Sequence, residues 1–269
     1  METNPAAAAT SSSPCASHVH TAPPLTPCSV LLPRRRLLIA LAALLVALAT
    51  AAALGNGQAL LTWDEPIQRG VEASRTSALN DVFLTISRLG STLVVLSLGT
   101  LAAVLTWRRC RAVALALIVA TFARPAIEFI VKGLVGRDRP EFDRLVAGNG
   151  PSFPTGHVMA AIALWGLLPV VVSLYTRRRA IWWASVGASA TLIAGIAASR
   201  VYLGVHWFSD VVGGLIVGTF FLLAVDNVMV RAHRRYPCGM MAEQAEQTEA
   251  AEAPTREELP ERVPVGAGV

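Results

Sequence analysis

An arginine, a histidine and an aspartate stand close together in Ser199-Arg200-Val201-Tyr202-Leu203-Gly204-Val205-His206-Trp207-Phe208-Ser209-Asp210, with apolar sequence on both sides. His206 and Asp210 are four residues apart, so on a helix their side chains share a face. A carboxylate placed there accepts a hydrogen bond from one imidazole nitrogen and holds the other ready for nucleophilic or acid–base chemistry. A charged loop between helices, with Asp210 as a cap, explains the same triplet. The other polar residues have to decide.

Two further groups do so. Lys132 is the only lysine among 23 basic residues, and Arg139-Pro140 follows seven residues later. Arg124 and Glu128 precede it at four-residue intervals, so the three charges form a ladder on one helical face. Ionisable groups in an apolar span are costly and are paired or line a polar cavity, although a single lysine can also snorkel to the interface. Ser152-Phe153-Pro154-Thr155-Gly156-His157 then opens another apolar run. Pro154 suits a first helical position, and Thr155 and Gly156 would present unpaired backbone N–H groups. Glycine allows close approach and the helix dipole favours negative charge, so this is a phosphate-sized anion site beside a histidine. A well-capped helix start is the plainer alternative. Glu128, Asp138 and Asp143 are read as structural acids.

The elements that must position these residues are membrane helices. Of the 269 residues 54% are hydrophobic and 15% charged, which excludes an ordinary soluble domain. A net charge of +5 does not indicate nucleic-acid binding, because the arginines sit in short clusters beside apolar runs with no aromatic interleaving. Cys15, Cys28, Cys110 and Cys238 are scattered, so neither a disulfide framework nor a zinc site is expected. Six spans are predicted, at 37–54, 89–107, 112–131, 157–175, 181–198 and 211–230, giving an all-α polytopic bundle. The segment 55–88 reads as an interfacial loop or short amphipathic helix. A cleaved leader ending near Ala49-Thr50-Ala51 is the rival for the first span, but its apolar run is too long and its preceding segment too extended.

Residues 1–33 read as a disordered tail and 236–269 as a disordered acidic one, flanking a transmembrane domain at 34–235 with its motifs in 132–210. The arginine clusters at 34–36, 108–111, 177–179 and 231–235 fall on one side of six spans, which the positive-inside rule makes cytoplasmic. Both termini are then cytoplasmic, and the loops 133–156 and 199–210 lie together on the outer face of the cell membrane. Gly214 and Gly218 form a small-xxx-small pair for helix packing.

Together, Lys132-x6-Arg139-Pro140, Pro154-Thr155-Gly156-His157 and Ser199-Arg200-x5-His206-x3-Asp210 resemble the three-part signature of the type 2 phosphatidic acid phosphatase superfamily. That superfamily includes membrane lipid phosphate phosphatases, bacterial polyprenyl diphosphate phosphatases, glucose-6-phosphatase and soluble vanadium haloperoxidases. The six apolar spans match its membrane branch. The resemblance implies a lipid phosphatase in which His206 is the nucleophile and forms a phosphohistidine, with Asp210 fixing its tautomer. Lys132, Arg139 and Arg200 would neutralise the phosphoryl oxygens, Thr155 and Gly156 would hydrogen-bond them, and His157 would serve as general acid and then base. Three cations stand where a metal ion is often used, so no metal or other cofactor is implied. The family usually has serine at the position of Thr155; the hydroxyl is kept and the added methyl crowds the phosphate. Polyprenyl diphosphates, phosphatidic acid and phosphatidylglycerol phosphate are the substrate classes in view. A transporter or flippase using Arg124, Glu128 and Asp226, or an inactive relative, is the alternative.

Overall fold

The computed structural model describes residues 31–176 and 178–235, all helix, turn or coil, with no strand among them. The expected tails fall outside these residues, except that the first helix begins at Leu31, inside the segment read as tail. The helices are α1 (Leu31–Ala53), α2 (Gln58–Ala73), α3 (Ser77–Arg88), α4 (Thr92–Trp107), α5 (Arg111–Val135), α6 (Gly156–Trp165), α7 (Leu168–Ser173), α8 (Arg179–Tyr202) and α9 (Phe208–Arg235), with a short 3-10 turn at Leu54–Gly57. α5, α6–α7, α8 and α9 are each long and apolar enough to cross a membrane. Two bent pairs raise the number to six if each counts as one span: α1 with α2, bent by 93°, and α3 with α4, bent by 45°.

Of the two readings of 55–88, interfacial loop or short amphipathic helix, the structure takes the helical one, as two helices, α2 and α3. Local signals start and stop these helices. Thr76 and Ser91 cap α3 and α4 by accepting hydrogen bonds from the Leu79 and Val94 amides. α5 ends where Gly136 turns left-handed, at φ 66°, and returns its amide to the Lys132 carbonyl at 2.9 Å.

The interior is built from small residues. α5 packs on α4 and α9, and α6 packs on α8 and α9. Ala112, Ala116, Leu117 and Ala120 of α5 meet Ala163, Phe221 and Val225 in one cluster. Gly213, Gly214 and Gly218 let α9 close on α6: a Cβ at Gly214 would lie 3.0 Å from the Thr155 carbonyl oxygen, and one at Gly218 would lie 2.8 Å from Ile162 Cδ1. The expected small-residue contact is therefore an α6–α9 contact. The outside of the bundle is apolar: Phe129 and Leu134, which flank Lys132 on α5, are 79% and 76% exposed. Cys110, at the start of α5, is disulfide-bonded, a single bridge where no disulfide framework was expected.

Candidate active site

The stretch 199–210 is not an open loop. α8 runs on through Tyr202, and only 203–207 remain between it and α9. Gly204 makes that reversal at φ 75°, where a Cβ would also sit 2.7 Å from the Asp143 carbonyl oxygen. His206 and Asp210 therefore do not share a continuous helix. Asp210 is the third residue of α9, and its Oδ2 accepts the Trp207 backbone N–H at 2.9 Å, closing the N-terminus as a capping box does. Capping and pairing coexist here, since the same oxygen stands 3.7 Å from His206 Nδ1. That separation is longer than a formed hydrogen bond, as is common in a site without substrate.

Arg139 decides the state of the imidazole. Its Nη1 lies 3.2 Å from His206 Nε2 and 2.7 Å from the Val205 carbonyl oxygen. A guanidinium only donates, so Nε2 is an acceptor and the neutral ring carries its proton on Nδ1, towards Asp210. Arg139 itself is held by the Gly150 and Asn149 carbonyl oxygens, each 2.9 Å away. Burial and the neighbouring Arg139 and Arg200 hold His206 down to a pKa of about 4, against the upward pull of Asp210. Burial also lowers the pKa of Arg139, partly offset by Asp210.

The remaining expected residues gather around this pair. Lys132 Nζ donates to the Pro151 carbonyl oxygen at 2.8 Å and stands 3.9 Å from Glu128 Oε1. The Arg124–Glu128–Lys132 ladder exists as read: Arg124 is buried, pairs with Glu128 and donates to the Gly156 carbonyl oxygen at 3.3 Å. Arg200 is buried and donates to Ser87 Oγ at 2.5 Å, at the bend between α3 and α4. His157, half-buried, is within electrostatic reach of Arg200, His206 and Arg139.

The helix start differs from the expectation. Thr155 is the N-cap of α6 and Gly156 its first residue, so Pro154 lies outside the helix. The Thr155 amide is used by the Asp210 carbonyl oxygen at 3.3 Å, while its buried Oγ1 has no partner. A Cβ at Gly156 would lie 1.9 Å from Glu128 Oε1, so any side chain there would displace that carboxylate. A carboxylate already rests against this helix N-terminus, where the dipole stabilises negative charge.

Sequence reasoning missed three buried residues, Asp64, Arg137 and Ser209. Arg137 Nη1 donates to Asp210 Oδ1 at 2.9 Å and to Ser209 Oγ at 2.7 Å, and Nη2 donates to Asp64 Oδ2 at 2.8 Å. An arginine two positions before the Arg139 of the motif was the available signal for Arg137; Asp64, in a mixed polar segment, carried none. Among the described residues no three His, Cys, Asp or Glu side chains converge as a metal site.

Comparison with known proteins gives this architecture its class. The sequence profile of the PAP2 superfamily matches residues 113–234. Phosphatidylglycerophosphatase B of Bacillus subtilis (strain 168) is 31% identical over 180 residues, covering 64% of this chain and 87% of that protein. The crystal structure of the first transmembrane PAP2 type phosphatidylglycerolphosphate phosphatase from Bacillus subtilis matches at a TM-score of 0.62 and 25% identity, covering 71% of this chain and 94% of that one. The chain belongs to the PAP2 superfamily. Its apolar helices make it a multi-pass membrane phosphatase of that family.

Proposed function

We propose that this chain removes phosphate from a phosphorylated membrane lipid, with phosphatidylglycerol phosphate, the substrate named for both relatives, as first candidate and phosphatidic acid and polyprenyl diphosphates beside it. The observation that carries the reading is the Arg139–His206 contact, which leaves the Nε2 lone pair facing a cation that binds phosphate. His206 Nε2 attacks phosphorus, the bond from phosphorus to the lipid oxygen breaks, and His157 gives that oxygen a proton. The Nδ1 proton stays on the ring, and Asp210 stabilises the cation formed there. Lys132, Arg139 and Arg200 neutralise the phosphoryl oxygens, and Thr155 Oγ1 and the Gly156 amide donate to them. In the second step His157 takes a proton from water, whose oxygen attacks the phosphohistidine and releases phosphate and free His206.

The proposed orientation puts the site on the extracytoplasmic face and both termini in the cytoplasm. Arginine clustering supports it. Arg109 lies 4.2 Å from the Tyr175 ring and donates to the Leu174 carbonyl oxygen, joining residues 108–110 to residues 174–176 at the end of α5 opposite Lys132. By the positive-inside rule that arginine-bearing end is the cytoplasmic one.

The test is phosphate release from these lipid phosphates by the protein in detergent with EDTA present. We expect release from at least one, retained in EDTA because three side-chain cations supply the charge, and abolished in His206→Ala. Equal activity of wild type and His206→Ala, or none in either, would overturn the reading.

A further inference from the structure

Asp210 turns one oxygen to His206 and the other to Arg137. The Arg137 and Asp64 side chains are fully buried, and their ion pair at 2.8 Å ties the start of the loop after α5 to α2. Asp64 Oδ1 also accepts the Ser209 backbone N–H at 2.9 Å, and its Oδ2 accepts Ser209 Oγ at 2.6 Å. The Arg137 guanidinium lies 5.4 Å from the Trp207 ring, and Gly57 leaves room for it, since a Cβ there would be 2.4 Å from Arg137 Nε. Two buried carboxylates sharing one buried guanidinium are tolerable only when every partner is in place. A carboxylate is a rigid fork, so fixing Oδ1 fixes where Oδ2 points.

We propose that Arg137 and Asp64 are positioning residues for the His206 reaction: Asp64 aims Arg137, Arg137 aims Asp210, and Asp210 aims the Nδ1–H of His206. The inference rests on the reading of His206 as nucleophile. It extends the site to α2, which lies outside the residues 113–234 matched by the family profile. It also sets how strongly Asp210 supports a positive imidazole. Arg137 shares the charge of Asp210, and Asp64 in turn shares the charge of Arg137. The other groups facing His206 are Arg139 from the loop after α5, Arg200 from α8 and His157 from α6.

The two links therefore have opposite signs. In Asp64→Asn, Arg137 draws harder on Asp210 and the His206 titration midpoint moves down. In Arg137→Met, Asp210 is freed towards His206 and the midpoint moves up. The full chain in detergent, labelled with 13C-histidine and with the His206 signal identified by its loss in His206→Ala, reads both shifts. Single-turnover phosphoenzyme formation should fall by roughly 10–100-fold in each variant, as for other residues that orient a reacting group. Arg137→Lys should recover part of the rate lost in Arg137→Met. Midpoints that stay put or move the same way, or rates within about twofold of wild type in a folded protein, overturn the proposal. Should Arg137→Met not fold, the near-isosteric Asp64→Asn decides alone: a downward shift with a slower rate supports it, and no shift sinks it. A wild type that forms no phosphoenzyme would refute the reading of His206 while the resonance shifts still test the brace.

Discussion

Two histidines in one site can divide nucleophile and acid–base roles only if the nucleophile is neutral when substrate arrives. Burial does this for His206, the proposed nucleophile, whose pKa of about 4 lies below the ordinary 6.5. The unfolded chain therefore binds more protons than the folded one between those values. The contribution of His206 to stability is complete above about 6.5 and is lost as the pH falls towards 4. We expect the acid limb of phosphoenzyme formation to lie near pH 4, measured by single turnover with a substrate whose own ionisation is complete above that value; a limb at 6.5 would contradict the burial argument. At this scale the residues proposed to react were picked out in the sequence, because phosphoryl transfer needs particular side-chain types at fixed spacings. Their supports were not. Asp64 lies 73 residues from Arg137 and 145 from Ser209, and nothing in a polar helical segment distinguishes an acid that will be buried from one that will be solvated.

The helices show the same division. Four of the apolar runs became helical segments of membrane-crossing length, one of them broken between α6 and α7, because their hydropathy is continuous. For α2, read only as an interfacial loop or short amphipathic helix, what was not legible is that its polar face turns inward: Asp64 bonds Ser209 and Arg137, and Gln68 donates to the Val201 carbonyl oxygen at 3.3 Å. Hydropathy does not distinguish a polar face turned to the protein interior from one turned to water. Helix contact makes its own demand at Gly213, where a Cβ would lie 2.3 Å from the Phe153 ring, itself fully buried. Gly213→Ala should cost about 1–3 kcal/mol by overpacking, read as a lower thermal midpoint in detergent. Because Phe153 is separated from Thr155 and Gly156 only by Pro154, activity should fall at temperatures where the variant is still folded. Full activity up to the unfolding transition would show that the α6–α9 contact does not position the proposed phosphate site at Thr155 and Gly156.

The whole molecule has one end rich in arginine and another that carries the site, and the proposed orientation makes a direct prediction. A reporter fused after Val269 should be active only in a form that requires the cytoplasm, and activity in the opposite compartment would reverse the side of catalysis. The apolar flank around Lys132 has a further consequence. Phe129 and Leu134 are exposed beside that cation, so on the proposed function a head group would reach the site by sliding sideways from the acyl layer instead of arriving from bulk solution. The enzyme then meets its substrate as a density in two dimensions. In mixed micelles its rate should follow the mole fraction of lipid phosphate, falling as inert detergent is added at constant bulk concentration. A soluble short-chain phosphate should show no such surface dilution.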